Sequence, residues 1–562
     1  MPRPPATLQE EFIANFPRSA PPLLRWPLNT TRSDTGGFAP SVPRASRPNF
    51  VLFLQDDQDE FLGGWSPMKK AQALLADSGA RATNWLIHTP VCCPSRAELL
   101  TGRYFHNVRE AVHTGGCMHI DERRVNPVSF GAALGSAGYT LGWFGKHMNV
   151  CPHRPPPGWD CPTCVWFANG GGRDAEPGGY LNASFSHFVG GSAVGPDRYH
   201  QTAGTYVADT AGEFSGYYTS VIANKSIAWL HSVARGTRPF MLTVASKGPH
   251  VPSTPAPWYA RGTYIDGLAA PRTAAFNASR EQLSHHHWLI AQQEPITQEQ
   301  GAVIDELFRN RWRTLLSVDD AIEGVHGALQ QLGVLESTYI FVTSDHGFNL
   351  GQHRLPTCKL NVYDHDLRIP MVIRGRGLIA PGIPHGLRFP QPASNVDLAP
   401  TLLGLAGVPA EATAHMDGRS IARLVIPSTD GPALPASAAA HVRALAGAEA
   451  APWRTHHFIE YYSLGSVVRT EHLIDDPNSN TYRALRFVGD ARHGDFLYAE
   501  FTALADWNFS SVGFHEAFDL TSDPHQLNNV FSSLKRDTKA ELAERVRREW
   551  RCSGQRGKLA CG

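Results

Sequence analysis

Two short apolar runs, each ending in acidic residues, constrain this chain more than any other feature. Asn49-Phe50-Val51-Leu52-Phe53-Leu54 follows Pro48 and ends in Gln55-Asp56-Asp57. Tyr339-Ile340-Phe341-Val342-Thr343 ends in Ser344-Asp345-His346-Gly347. Short runs without polar alternation suit strands covered on both faces, as in a parallel sheet. From about Pro48 such runs alternate with amphipathic stretches, for example around Asp305 to Leu332, as βαβ units require. The expected fold is α/β: a large, doubly wound, mostly parallel sheet flanked by helices. Such sheets place ligands at the carboxyl ends of their strands, where Asp56, Asp57, Asp345 and His346 fall. Adjacent carboxylates there repel one another unless a cation neutralises them. Oxygen-dominated ligation favours Ca²⁺, with Mg²⁺ as the alternative, and the imidazole of His346 is the least comfortable ligand for either.

At 562 residues the chain is long enough for a large core and two domains. Residues 1–45, rich in Pro and Arg, are expected to form an extended surface segment. The catalytic domain is placed at 46–425, a small-residue linker at 426–452 and a C-terminal subdomain at 453–562. In the subdomain, His457–Tyr462 and Tyr482–Val488 read as strands of a smaller antiparallel sheet, with a helix from about Leu534 to Trp550 packed on it. Residues 165–200, rich in Gly, Asn and Ser, read as a long loop rimming the substrate site. The His285-His286-His287 run reads as a solvated loop.

Cys92-Cys93-Pro94-Ser95-Arg96, followed by Leu100-Thr101-Gly102-Arg103, resembles the type I sulfatase signature C-x-P-S-R-x-x-x-x-T-G. The resemblance implies an alkaline phosphatase-like fold and oxidation of Cys92 to Cα-formylglycine by a formylglycine-generating enzyme. Cys93 occupies the variable position. A sulfate monoester repels nucleophiles, and a hydrated aldehyde answers this with two hydroxyls on one carbon. One attacks sulfur; the other later loses its proton and expels sulfate, so one difficult step becomes two easier ones. The chemistry also calls for a divalent cation and for fixed positive charge around the sulfate oxygens. On this resemblance Asp56, Asp57, Asp345, His346 and modified Cys92 form the metal shell. Arg96 pairs with the metal-site carboxylates or orients the nucleophile.

Three further basic positions fit the same family. Gly138-Tyr139-Thr140 to Gly145-Lys146-His147 looks like its second signature, whose lysine touches sulfate and the formylglycine. Phe240-Met241-Leu242-Thr243-Val244-Ala245 leads to Lys247-Gly248-Pro249-His250, where Lys247 and His250 fall to substrate binding. Lys359, ahead of Arg368-Ile369-Pro370, matches the lysine that protonates or neutralises the leaving oxygen. Many relatives carry a histidine two positions after the signature lysine, where this chain has Met148. His147 is adjacent, but neighbouring strand residues face opposite ways, which argues against a general-acid role. The double-Cys motif with Gly-Arg-Tyr-Phe-His-Asn, and the run Arg311-Trp312-Arg313-Thr314-Leu315-Leu316-Ser317-Val318-Asp319-Asp320, resemble the branch holding N-acetylglucosamine-6-sulfatases, endosulfatases and green-algal arylsulfatases. The long basic insert of the endosulfatases is missing. The implied substrate is 6-O-sulfated N-acetylglucosamine in a sulfated glycan, or an aryl sulfate.

Lys+Arg and Asp+Glu balance at 51 each, which argues against a nucleic-acid partner. No apolar stretch reaches the length of a membrane span. Nine cysteines leave eight once Cys92 is set aside, and a short C-terminal loop closed by Cys552 and Cys561 is the expected pairing. Cys161-Pro162-Thr163-Cys164 lacks a second half-site for zinc, so a local disulfide or bridges to Cys117 and Cys151 are expected. Asn29, Asn182, Asn224, Asn277 and Asn508 begin glycosylation sequons, consistent with a secreted, periplasmic, cell-wall or lysosomal enzyme. No signal core is visible in Met1-Pro2-Arg3-Pro4-Pro5. Two alternatives stand beside the sulfatase reading: a phosphomonoester or phosphonate hydrolase of the same superfamily, and an inactive glycan-binding homologue whose Cys92 is never oxidised.

Overall fold

The structure is a computed structural model describing residues 47–110, 120–148, 165–168, 180–182, 188–189, 216–357, 359–376, 386–426, 434–447, 452–463, 480–503, 507–555 and 560–561. The segment 1–45 and Cys117, Cys151, Cys161, Cys164 and Cys358 lie outside these residues.

A nine-stranded sheet organises the molecule. In chain order its strands are β1 (Asn49–Gln55), β2 (Ala80–Ala82), β3 (Thr140–Lys146), β4 (Val165–Ala168), β5 (Tyr180–Asn182), β6 (Phe240–Ala245), β7 (Thr338–Ser344), β8 (Met371–Arg374) and β9 (Leu387–Phe389). Their spatial order is β9-β2-β8-β7-β1-β6-β3-β4-β5. β1 runs parallel to β7 on one side and β6 on the other, and β3 runs parallel to β6. Only β8 runs against its neighbours, pairing antiparallel with both β7 and β2. Every residue of β1, β6 and β7 is buried, which is why their sequences show continuous apolar runs instead of alternation.

Helices flank the sheet. The longest, Gln298–Gln331, starts at Thr297 with a capping box closed by Gln300 and packs on helix Tyr218–Val233, which lies against β3. A second, four-stranded antiparallel meander comprises β10 (His456–Tyr461), β11 (Tyr482–Asp490), β12 (Gly494–Thr502) and β13 (Val512–Asp519). Helix Arg536–Trp550 packs on its first two strands, burying Leu542 and Val546. The α/β sheet with a smaller antiparallel sheet and terminal helix is thus the architecture expected from the sequence. Cys552 and Cys561 form a disulfide beyond that helix. Among the described residues no helix is long and apolar enough to cross a membrane.

Three local expectations change. The stretch 165–200 is not one loop: β4, β5 and the short strand Phe188–Val189 lie in it, the first two extending the large sheet. The stretch 426–452, read as a linker, contains helix Ala436–Gly447. Its alanines favour helix, and their small size allows close packing on helix Leu398–Leu405. The approach is so close that a Cβ on Gly404 would lie 2.1 Å from His441 Cε1. Of the histidine run only His285 is exposed; His286 and His287 are buried. His286 Nε2 lies 2.8 Å from the Gln526 carbonyl, and the His287 ring stacks on Phe501 at 4.3 Å. Burial lowers the His287 pKa to about 4, which leaves a neutral ring in an aromatic stack.

Glu460 joins the two sheets. Its carboxylate accepts hydrogen bonds from the His106 backbone N–H (2.8 Å) and the Tyr462 hydroxyl (2.5 Å), and its Oε1 lies 2.9 Å from both His88 Nε2 and His106 Nδ1. Burial pushes this carboxyl up, but His106 and His88 outweigh it and hold Glu460 well below its usual range. The His287→Ala substitution removes the stack between the small sheet and the 280s. It is expected to cost about 2–4 kcal/mol of stability, read as a lower thermal midpoint with kcat unchanged.

Candidate active site

The sheet delivers its polar residues to one edge through strand register. Gln55 pairs with Ser344, so Asp56-Asp57 and Asp345-His346 leave adjacent parallel strands at the same level. Gly145 pairs with Ala245, which brings Lys146 to the level where β6 gives way to Ser246-Lys247. Gly145 has φ +119°, and a Cβ there would lie 1.9 Å from the Ala245 carbonyl oxygen, so only glycine allows this approach. Cys92 opens helix Cys92–Thr101, whose N-terminal amides add partial positive charge beside its sulfur.

Around the Cys92 sulfur lie His346 Nε2 at 3.4 Å, Lys359 Nζ at 3.6 Å and Asp56 Oδ1 at 3.8 Å. Lys146 Nζ is 2.6 Å from Asp56 Oδ2, and Lys359 Nζ is 2.6 Å from Asp57 Oδ1. Arg96 donates from Nε to Asp345 Oδ2 (2.8 Å) and from Nη1 to the Lys146 carbonyl (2.7 Å), with Nη2 3.9 Å from Asp56 Oδ1. His250 Nε2 approaches Asp57 Oδ2 at 3.9 Å. The expected residues Asp56, Asp57, Cys92, Arg96, Lys146, His250, Asp345, His346 and Lys359 therefore share one cluster, all buried except the half-buried Lys359. Lys247 is buried one turn before His250, whose N–H donates to the Lys247 carbonyl. His147 points elsewhere, against the Trp143 ring at 5.0 Å. Burial and then Arg96 lower its pKa to about 3.

Charge sets the protonation of the cluster. Burial pushes the Asp56 carboxyl up, but Lys146, His250, Arg96 and Lys359 hold it well below the usual range. Burial is outweighed at Asp57 too, by His250, Lys359 and His346. The Cys92 thiol follows the same pattern and is held well below its ordinary value by Lys146 and Lys359. At Asp345 burial wins over His346 and Arg96, and the pKa rises. His346, against its burial, is pushed up to about 9, mainly by Asp345. Burial and the neighbouring Lys146 charge bring Lys247 down to about 7.

The residues fit a divalent cation. Ligand atoms of Asp56, Cys92, Asp345 and His346 lie within 4.8 Å of one another, as do those of Asp56, Asp57, Cys92 and His250. Asp57 Oδ2 is buried without a hydrogen-bond partner, an acceptor that a hard cation would satisfy. Asp57 itself sits at φ +69°, a costly conformation away from glycine. Its carbonyl accepts from Arg311 Nη2 at 2.6 Å and its N–H donates to Asp345 Oδ1 at 3.1 Å. Arg311 also donates to Asp59 Oδ1 at 3.0 Å. Nothing local in the sequence marks Arg311 or Asn395 for these roles. Asn395 donates from Nδ2 to the Ser95 carbonyl (3.0 Å) and to Glu98 Oε2 (2.9 Å) beneath the Cys92 helix.

Among the sequons, the Asn277 amide is committed within the fold. It donates to the Ile296 carbonyl at 3.2 Å and accepts the Ile296 N–H at 2.8 Å. Asn508 is exposed and Asn224 half-buried on a helix; Asn29 and the Asn182 side chain lie outside the described residues.

Carboxylates matched to a cation and lysines matched to an anion, meeting at one sulfur, define an enzyme for oxyanion esters. The chain belongs to the sulfatase family: that family's model matches residues 48–408. It is similar to N-acetylglucosamine-6-sulfatase of Capra hircus, 32% identical over 545 residues spanning 92% of this chain and 86% of the relative. The Homo sapiens protein of the same name is 31% identical across 99% of this chain and 93% of its own. An arylsulfatase of Volvox carteri is 28% identical over 66% of this chain and 58% of its own. Among solved structures, BT4656 in complex with its substrate D-glucosamine-2-N,6-O-disulfate shares the fold with a TM-score of 0.56 and 21% identity, over 89% of this chain and 97% of that one.

The Arg96→Met substitution leaves Asp345 and Asp56 without their guanidinium. A loss of about 3–5 kcal/mol in unfolding free energy is expected, with urea denaturation as the readout.

Proposed function

We propose that this sulfatase hydrolyses sulfate monoesters through Cys92 oxidised to Cα-formylglycine, with 6-O-sulfated N-acetylglucosamine of a sulfated glycan as its substrate. The observation that carries the reading is the convergence of Lys146, Lys359 and three carboxylates on the Cys92 sulfur inside the family segment. The Cys92 sulfur marks the carbon that would bear the nucleophilic hydroxyls. The identity with N-acetylglucosamine-6-sulfatases over nearly the whole chain supports the sugar.

Asp56, Asp57, Asp345 and His346 would hold Ca²⁺, with Mg²⁺ as the alternative. The bound ion would supply Lewis-acid stabilisation of the nucleophilic and sulfate oxygens. The residues do the rest. Lys146, Lys247 and His250 hold sulfate oxygens by charge and hydrogen bonds. Lys359 delivers a proton to the leaving sugar oxygen as the S–O bond breaks. Arg96 holds Asp345 and Asp56 in place and favours the ionised form of Asp56. A formylglycine-generating enzyme is the maturation partner. The Cys552–Cys561 disulfide supports an oxidising, extracytoplasmic compartment.

Paired aryl sulfate and aryl phosphate substrates test the reaction class, and a dominant phosphate rate would replace the sulfatase reading with phosphomonoester hydrolysis. Cys92→Ser is expected to abolish turnover with the thermal midpoint unchanged. The peptide spanning Val91–Arg96 of active enzyme should show the aldehyde by mass spectrometry; an intact thiol in fully active protein would remove the nucleophile assignment.

The pH dependence follows from Lys247. It is charged below about 7 and neutral above, so it binds sulfate best at acid to neutral pH. The kcat/KM profile should fall as pH rises through that value, and Lys247→Met should lower the acid plateau and erase this limb.

A further inference from the structure

Lys359 is aimed at the site by a turn that is strained and pinned. Leu360 has φ +84°, a conformation that a leucine adopts only under tertiary restraint. The two peptide units beside it are tied down. The Lys359 carbonyl accepts from Asn361 Nδ2 at 3.0 Å, and Asn361 is held in turn by Asp366 Oδ2, which accepts its N–H at 2.9 Å and its Nδ2 at 3.0 Å. The Leu360 carbonyl accepts from the Tyr482 hydroxyl at 3.2 Å and faces Asn480 Nδ2 at 3.5 Å. Tyr482 opens β11 of the small sheet, is fully buried, and is fixed between the Tyr461 and Phe501 rings at 5.5 and 5.4 Å.

We propose that Tyr482 is a positioning residue for Lys359, holding the ammonium on the leaving-oxygen side of Cys92 through the Leu360 carbonyl. The C-terminal sheet is then part of the catalytic apparatus although none of its residues touches Cys92. Relaxing Leu360 to negative φ requires rotation of the Lys359–Leu360 peptide. That rotation carries the Lys359 side chain off its 2.6 Å contact with Asp57. Asp366 restrains one side of the turn, and Tyr482 with Asn480 restrains the other. The inference rests on the proposed proton transfer by Lys359.

The test is a double-mutant cycle on the mature, formylglycine-bearing enzyme, with aryl sulfates whose leaving phenols span a range of acidity. Tyr482→Phe should lower kcat about tenfold with KM little changed. The loss should be larger for poor leaving groups, which need the proton, than for good ones. Asn480→Ala is a milder second variant expected to shift the same ratio in the same direction. In a Lys359→Ala background, adding Tyr482→Phe should change kcat by less than about twofold. Full activity of Lys359→Ala overturns the assigned role of Lys359 and the inference with it. A strongly impaired Lys359→Ala in which Tyr482→Phe still costs its full factor keeps Lys359 and overturns the positioning role. A uniform loss across all leaving groups, or wild-type kinetics in both Tyr482→Phe and Asn480→Ala, overturns it as well.

Discussion

Everything at the centre of this protein depends on burying three carboxylates together among fixed cations. Asp56, Asp57 and Asp345 have no exposed surface, and desolvation alone would drive all three toward the neutral acid. Fixed cations reverse this for the first two: Lys146 and Lys359 sit at 2.6 Å, and Arg96 bridges toward Asp345. The same lysines lower the Cys92 thiol, so one set of charges conditions both the carboxylates and the position of the proposed nucleophile. Pairs of this kind do little for net stability, because desolvation consumes most of the Coulombic gain. Their role is to keep a highly charged cavity folded in one protonation pattern.

The sheet makes this concentration of charge possible. Parallel neighbours at equal register bring three strand ends to one level, so residues nearly three hundred positions apart meet without any long side chain having to search. Two backbone features show how tightly this is done. Gly145 lets β3 approach the Ala245 carbonyl closely, and Asp57 accepts a positive φ that Arg311 and Asp345 hold in place. Strain concentrated beside the cluster, and compensated from a long helix, is a common signature of a preorganised site.

The sequence carried the centre of this arrangement well and its supports poorly. Apolar runs ending in Asp-Asp and Asp-His betray themselves, because both the strand and the charge are local facts. The double-Cys motif and Lys146 are likewise short, contiguous signals. Arg311, Asn395 and Tyr482 were silent because their meaning lies in partners hundreds of residues away, reached only after the sheets form. His286 and His287 misled for a related reason. A histidine triplet looks solvated until Gln526 and Phe501 arrive to cover it. The alanine-rich stretch before the small sheet failed differently: small residues read as a linker, yet the same residues make a helix that can pack tightly against Leu398–Leu405.

The small sheet is therefore better understood as a wall of the catalytic body than as an appendage. Arg486 donates from Nε to Asp364 Oδ1 at 3.0 Å, Glu516 accepts from the Tyr363 hydroxyl at 3.2 Å, and Glu460 gathers His88 and His106. Most of these contacts land beside a residue of the cluster: His88 lies four positions before Cys92, and Tyr363 four after Lys359. Burial raises the Glu516 carboxyl to about 7, against the hydrogen bonds from His287 and Tyr363 that lower it. These ion pairs and hydrogen bonds tie the small sheet to the segments that carry Cys92 and Lys359, while Asp57 Oδ2 faces the cluster as a buried acceptor without a hydrogen bond.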